Sequence, residues 1–593
     1  MHPIDTPKHR ATPLRGPVCL VRPPAVESFR FVTTTITLPL GLAYIAAALE
    51  EAGRPVHLLD SVAEDPKGRT RYFKGVLVGL PLEAIAARVP AESCIVGITV
   101  VFTHEWPAVV RLIELIKARL PDMPVVVGGE HVTSMPEFCL ATSKADFIVT
   151  GEGEESVIEL LDALESGRPL QQVDGIGFRD HDSFTVNRRR ARRKDVDAIP
   201  YPAWHLFDIK AYNDSHLVGG MQTGRINLPL LATRGCPYQC TFCSSPNMWN
   251  PRWIPRDPIK VVDEIEHHLR QFGASSFPFQ DLTAIVQKDW IVAFCKEILR
   301  RKLDVAWQFP SGTRSEAIDA EVADLMRRTG MVSIAYAPES GSERTRKLIK
   351  KRMRTDHLLA SIGASVEAEL NVACFLIIGF PHDTEEDLTE SLEFAAQIRR
   401  MGVTDLGVGY FFALPGTELF DALYDAGKIK LDGTYFAHIL QGGDLVPSVS
   451  HSELLSRFDL VKWKARIYTK FYGTRVERKA RTSLVDNVRR AVSGLLEHRH
   501  ESKLQTVFRT GMHGAWNELR LAHTVGWIPR EEERALFARW DDIYRRIRQS
   551  LLDKKLVTHA DPDTTQIHHG SVMTKLKAVH QTGRTLDARA VGG

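Results

Sequence analysis

Apolar runs of strand length alternate with helix-patterned stretches twice along this chain, once before residue 170 and again from residue 228. That pattern rules out most folds at once. A strand, a helix and a second strand form a parallel pair, and a parallel sheet must be covered on both faces. In the first series, residues 17–21 (PVCLV), 56–60 (VHLLD), 94–102 (CIVGITVVF), 124–129 (PVVVGG) and 146–151 (DFIVTG) read as strands. Residues 39–53, 105–120 and 154–166 have helical spacing between and after them. The expectation is a doubly wound, Rossmann-like parallel sheet over 15–170, with ligands beyond the carboxyl ends of its strands. Gly128 and Gly129 follow one strand, and Gly151 and Gly153, flanking Glu152, follow the next. Glycines there serve either tight strand-to-helix turns or the close approach of a bulky ligand, and spacing alone leaves both readings open.

The second series places strands at 228–233, 275–280, 304–309, 332–337, 372–379 and 405–412. Six strand–helix units are too few to close an eight-fold barrel. An open, partial (β/α)6 barrel over 226–430 follows, with its chemistry at the carboxyl ends of the strands. Residues 171–225 read as a linker. Within it, the run Arg188–Lys194 holds six basic residues in seven positions, which is expected to be a solvated face. Residues 431–555 have helical spacing and read as a helical C-terminal domain with a basic middle (Arg475, Arg478, Lys479, Arg481, Arg489, Arg490). The polar, unpatterned tail over 556–593 reads as disordered.

The sharpest chemical signal sits just after the first strand of the second series, in ATRGCPYQCTFCSSP (232–246). Cys236, Cys240 and Cys243 lie within eight positions, in a chain with only five other cysteines. Eight cysteines in 593 residues are too sparse for a disulfide framework. No apolar run approaches a membrane span, and the first residues lack the apolar core of a secretory signal, so a cytoplasmic protein is expected. In a reducing compartment a tight cysteine group points to metal or catalysis. Structural zinc takes four protein ligands. No second cysteine pair follows, and the spacing of His205 and His216 suggests no finger. A four-iron cluster also takes four thiolates as a rule, and three leave one iron open to a substrate or cofactor. Cys19, Cys94, Cys139, Cys295 and Cys374 fall in apolar stretches, where cysteine behaves as a small hydrophobe.

The CxxxCxxC triplet after a first barrel strand, with Phe242 before its last cysteine, resembles the signature of the radical S-adenosylmethionine (SAM) superfamily. Other segments add to the resemblance: PESGSE (338–343) after the fourth strand, GFPHDT (379–384) after the fifth and LPGT (414–417) after the sixth. The N-terminal stretches LPLGLAYIAAALEEAG, GITVVFTHEW, VVVGGEHVTSMPE and DFIVTGEGEES resemble the cobalamin-binding domains fused ahead of such barrels. Together the resemblance covers roughly 15–430 and implies a three-part α/β architecture of cobalamin domain, barrel and helical C-terminus.

This resemblance implies a 4Fe-4S cluster on Cys236, Cys240 and Cys243. It implies SAM contacts at Phe242, Gln280, Asp281, Arg314, Glu339, Ser340, Gly341, Gly379, Pro381 and Thr384, and cobalamin contacts at Gly128, Gly129, Glu130, Gly151, Glu152 and Gly153. One departure stands at the second strand, where FQDLT leaves Asp281 alone beside Gln280 in place of paired aspartates. The DxHxxG lower-ligand motif is also missing, since Asp60 is followed by SVAEDP, so base-off cobalamin is implied and His131 reads as a packing or hydrogen-bonding residue.

The expected activity is methylation of an unactivated carbon, in which a deoxyadenosyl radical abstracts hydrogen and methylcobalamin supplies the methyl. A non-methylating cyclase or rearrangement enzyme like the anaerobic porphyrin cyclases is the alternative. A regulatory binding protein is a third class, disfavoured because the cysteines, ESGS and GFPHDT occur together. Implied partners are a small-molecule or peptide substrate and an external one-electron donor such as flavodoxin or ferredoxin. A net charge of +3 gives no global case for nucleic acid.

Overall fold

The computed structural model describes residues 14–28, 36–73, 75–180, 183–444, 446–476 and 535–553, and the backbone of 584–587. The first ten strands are β1 (Val18–Arg22), β2 (Ala25–Ser28), β3 (Val56–Asp60), β4 (Arg69–Tyr72), β5 (Gly75–Val78), β6 (Ile95–Thr99), β7 (Val125–Gly128), β8 (Phe147–Val149), β9 (Ile176–Asp180) and β10 (Ser183–Val186). Five of them build the expected parallel sheet in the order β3-β1-β6-β7-β8. The chain starts at β1, steps to β3 on one side and then to β6 on the other. That reversal opens a crevice between β1 and β6 at their carboxyl ends.

Two features of this half depart from expectation. β9 and β10 form an antiparallel hairpin that extends the sheet beyond β8, so part of the stretch read as linker belongs to the N-terminal sheet. β2, β5 and β4 form a separate three-stranded antiparallel sheet, too short and irregular to show as a periodic pattern.

Next come β11 (Thr233–Arg234), β12 (Ile254–Pro255), β13 (Ser276–Pro278), β14 (Ala306–Thr313), β15 (Met331–Glu339), β16 (Asn371–Ile378) and β17 (Asp405–Tyr410). β13 to β17 are parallel and consecutive. The first barrel strand is shorter than expected. Residues 227–230 bridge to β13 through Asn227–Ser276 and Leu230–Phe279, after which β11 leaves the barrel and pairs antiparallel with β12. Among the described residues 227–230 and β17 do not pair, so the six-stranded barrel stays open.

Local sequence explains the covering helices. The helix Pro258–Phe272 starts at an Asp257 cap with proline in its first turn and stops at Gly273 in the left-handed region (φ 65°). Beneath these helices Phe279 packs edge-on to Trp307 and Phe309 at centroid distances of 5.9 and 5.1 Å.

The described helices of 431–555 do not form a domain apart. Gly433–Leu440 packs on β2 and the turn at 103–105, Arg457–Gly473 on the barrel helix Glu385–Met401, and Trp540–Asp553 on Pro136–Thr142. Arg548 binds Asp421 and Asp425. Each amphipathic helix buries its apolar face against a sheet-covering helix or strand already in place. The basic middle lies outside the described residues except for Arg475. Of the tail beyond 556, only β18 (Arg584–Asp587) is described, and it pairs with β10 at the sheet edge.

The basic run Arg188–Lys194 is solvated only in part, with Arg188 and Lys194 exposed and Arg192 buried. Arg192 is 9% exposed. Its guanidinium bonds Glu152 at 3.0 Å and the carbonyls of Trp249, Arg252 and Arg234 at 2.6, 3.0 and 3.2 Å. Arg234 in turn binds Glu152 at 3.2 Å and Glu154 at 2.6 Å. These contacts join the N-terminal sheet to the strand that leads into the cysteines. Removing one partner of a buried pair strands the other, so Arg192→Met is expected to cost about 3 kcal/mol or more in denaturant unfolding. Arg188, whose side chain is 59% exposed beside Asp174, is the control, and Arg188→Ala should leave the unfolding midpoint in place.

Candidate functional site

The cysteine loop is shaped by one buried carboxylate and one glycine. Asp281 accepts from Ala232 N (3.0 Å), Thr233 N (2.6 Å) and Thr233 Oγ1 (2.6 Å), and burial still pushes its pKa up to about 6. The turn then passes Gly235 at φ 95°, where a Cβ would come within 2.2 Å of the Arg252 carbonyl oxygen, so no side chain fits. Beyond it Thr241 N donates to Ile349 O at 3.1 Å, and Cys240 Sγ lies 3.9 Å from Lys350 O.

Cys236, Cys240 and Cys243 are free and half-buried. Burial raises each thiol, Cys236 and Cys240 raise Cys243 further, and Lys351 and Arg314 oppose the rise at Cys236 and Cys240. The three sulfurs therefore share one electrostatic environment. Among the described residues no group of three Cys, His, Asp or Glu side chains is gathered as a metal site.

The residues expected around SAM divide into two groups. Arg314 stacks 3.7 Å above the Tyr238 ring inside the cysteine loop. Glu339, in the left-handed region at φ 66°, binds Lys351 at 2.9 Å, and Lys351 in turn faces Cys240. Phe242 packs on Phe380 at 5.6 Å. Gln280 Nε2 is buried and has no hydrogen-bond partner, as a donor awaiting a ligand would be. All of these but Gln280, whose side chain lies beside Gly219, rim or approach the cysteine loop.

The second group is engaged by protein. Asp281 serves the loop turn. Ser340 Oγ and Gly341 N bond Ser391 Oγ at 3.3 and 3.1 Å. A Cβ on Gly379 (φ 87°) would meet Leu460 at 2.7 Å. Pro381 O accepts from Glu453 N at 3.0 Å, and Thr384 caps the helix Glu385–Met401.

The cobalamin candidates also divide. A cavity of about 410 Å³ lies between β2, the segments after β6 and β7, and the barrel end at Gly409 and Tyr410. Glu130 lines it and bonds Ser244, the residue after Cys243. Gly128 and Gly129 form the turn behind Glu130, and at Gly129 (φ 124°) a Cβ would come within 2.3 Å of Val100 O. Gly151, Glu152 and Gly153 instead abut Arg189, Arg192 with Arg234, and Ile45. His131 is packed against Trp106 and bonds Thr103 Oγ1 through Nδ1 at 3.2 Å, while its Nε2 has no partner. Asp60 caps the short helix Ser61–Glu64.

Sequence reasoning missed Tyr238, Ser244, Lys351 and the cavity wall from 439 to 443. It also missed Val101 and Phe102, left 46% and 47% exposed at the cavity. Two large apolar side chains stranded beyond a strand end suit the flat face of a corrin, and their signal was the apolar run continuing past β6.

Residues 30–161 match the B12 binding domain family and residues 230–395 the Radical SAM superfamily. The chain is a cobalamin-binding radical SAM protein. Its cofactors are cobalamin, SAM and a 4Fe-4S cluster. It is 28% identical over 422 residues to cytidylyl-2-hydroxyethylphosphonate methyltransferase of Streptomyces wedmorensis, covering 63% of this chain and 76% of that one. It is 31% identical over 320 residues to the anaerobic magnesium-protoporphyrin IX monomethyl ester cyclase of Synechocystis sp., covering 54% and 60%. Among solved structures, the cobalamin-dependent S-adenosylmethionine radical enzyme OxsB shares the fold with a TM-score of 0.57 at 16% identity, over 96% of this chain and 84% of that one. The protein is a methyltransferase-like enzyme of this class. No described helix is long and apolar enough to cross a membrane.

Two outcomes follow from the site. Asp281→Ala leaves buried backbone donors unpaired at the mouth of the cysteine loop, which should cost about 3 kcal/mol and lower iron and sulfide per chain after reconstitution. Burial also holds His131, His438 and His451 neutral, lowering their pKa values from 6.5 to about 3, 4 and 3. Their contribution to stability is complete above pH 6.5 and is lost as pH falls, because the unfolded chain takes up the protons first. At pH 5 each should contribute about 2 kcal/mol less than at neutral pH. Urea midpoints at the two pH values check this, and His451→Leu should narrow the difference by about 2 kcal/mol.

Proposed function

We propose that this protein is a C-methyltransferase that methylates an unactivated carbon of a small molecule or peptide held in the cavity between its two sheets. The observation that carries the reading is the cavity's position, since β2 and the segments that follow β6 and β7 face the end of β17 across it. When bound, the cluster and SAM supply a carbon-centred oxidant and cobalamin supplies a methyl group.

The chain's own residues hold, orient and shield. Cys236, Cys240 and Cys243 offer thiolates, and Arg314 and Lys351 offset negative charge beside them. Gly128, Gly129 and Glu130, with Val101 and Phe102, form the cobalamin side. His131 bonds Thr103 through Nδ1 and keeps an unpartnered Nε2 at the cavity wall, so the missing DxHxxG motif, and not this contact, is what supports a base-off cobalamin. Ile377, Phe412, Leu414, Ile439 and Leu440 make the remaining wall apolar. Excluding water there protects a reactive carbon from side reactions. An external one-electron donor completes the scheme.

The similarity to a magnesium-protoporphyrin cyclase favours a second reading, cyclisation or rearrangement without methyl transfer. SAM labelled in its methyl group distinguishes the two. A methyltransferase places the label on a product carbon and yields S-adenosylhomocysteine and deoxyadenosine in near-equal amounts. An unlabelled product, with deoxyadenosine but little S-adenosylhomocysteine, establishes the second reading instead.

A further inference from the structure

One charged segment plays no part in the reading above. Residues 343–354 (ERTRKLIKKRMR) carry seven Lys or Arg against one Glu in twelve positions. Some of these cations are spent inside the protein. Arg346 is 2% exposed and bonds Ser340 O, Lys351 binds Glu339 and Lys350 binds Glu418. Arg344 and Arg354 reach the surface but pair with Asp387 and Asp356. Lys347 and Arg352 are exposed, and among the described residues neither has an ion-pair partner.

This segment rims the cysteine loop. Ile349 O accepts from Thr241 N at 3.1 Å, and Lys350 O is 3.9 Å from Cys240 Sγ. Arg352 O accepts from Arg314, which stacks on Tyr238. Between Cys236 and Cys240 the loop surfaces at exposed Gln239. Cys243 is on the other side, turned through Ser244 toward Glu130 of the N-terminal half. The basic segment therefore flanks the cysteine loop at Tyr238, Cys240 and Thr241, beside exposed Gln239. Electron tunnelling weakens steeply with distance, so a donor is most effective here. Unpaired rim cations speed and orient the encounter with an acidic partner.

We propose that the rim around Lys347, Arg352 and Gln239 docks an acidic, low-potential electron-carrier protein that reduces the cluster. One electron leaves the carrier, which is oxidised by one unit, and enters the cluster, which is reduced by one. No bond or proton of the chain changes. The inference rests on the cluster reading and goes beyond it in locating the partner.

The test uses flavodoxin as the probe and the full reconstituted chain. Lys347→Glu/Arg352→Glu should weaken the binding of oxidised flavodoxin, measured by calorimetry, about tenfold or more. Lys347→Gln/Arg352→Gln should weaken it less and in the same direction. Raising ionic strength from about 0.05 M to about 0.3 M should weaken the parent and leave the reversal variant nearly unchanged. Lys260→Glu/Lys462→Glu, at exposed sites on other helices, is the control and should bind as the parent does.

Deoxyadenosine formation driven by flavodoxin should fall with affinity in the reversal variant, while formation driven by dithionite stays at the parent rate. Flavodoxin affinity within about twofold of the parent overturns the proposal. So does a loss of oligonucleotide binding without a loss of flavodoxin binding, which would make the rim a nucleic-acid surface. A parent chain that forms no deoxyadenosine with dithionite overturns the cluster reading itself, and the binding data then stand or fall separately.

Discussion

The buried ionic knot of Arg234 with Glu152 and Glu154, tied in by Arg192, is the contact on which the rest of the arrangement depends. Arg234 stands two residues before the first cluster cysteine, and both carboxylates come from the turn after β8. The knot thus connects the carboxyl edge of the N-terminal sheet directly to the entry of the cysteine loop. Burial disfavours charge, yet Glu154 lies below the ordinary carboxylate range because Arg234 sits against it. Such a pair contributes little net stability compared with apolar packing, and its value is geometric, since any other placement leaves charges buried and unpaired.

With the two halves held in this way, the composite site follows. The crevice between β1 and β6 exists because the chain reverses direction at β1. The barrel end exists because its strands are parallel and their loops gather on one side. Neither opening makes a cavity alone. The wall is completed by β2 and by residues 439–443, and Ser28 Oγ donates to Asp444 at 2.6 Å across these two segments. A reactive carbon held there is screened from water by parts drawn from every region of the chain. The cysteine loop also reaches solvent, at exposed Gln239.

The sequence was most informative where chemistry depends on local spacing. Cys236, Cys240 and Cys243 lie on a single turn whose geometry is set within a few residues, by Gly235 on one side and Thr241 on the other. The alternation of strands and helices was legible for the same reason, because burial on both faces leaves continuous apolar runs. Reading stayed open where one residue type serves two purposes. Gly151 and Gly153 stand in the pattern of a ligand-binding turn, but Arg189 and Ile45 occupy the space beside them. Within the run Arg188–Lys194, Arg189 and Arg192 are bonded to carbonyls of 234–252 while Arg188 and Lys194 stay exposed.

By itself, then, the sequence determined the two parallel-sheet halves, their order and the thiolate triplet, since each is encoded by periodicity or by neighbours a few positions apart. Only the tertiary structure decided which glycines and carboxylates face a cavity, that β9 and β10 belong to the first sheet, that the C-terminal helices wrap both halves, and where the cysteine loop meets water. Those outcomes depend on charges and apolar faces finding partners a hundred or more positions away, as Arg548 does with Asp421 and Asp425. A long-range pairing of this kind leaves no period in the sequence, because its free energy exists only once both surfaces have folded.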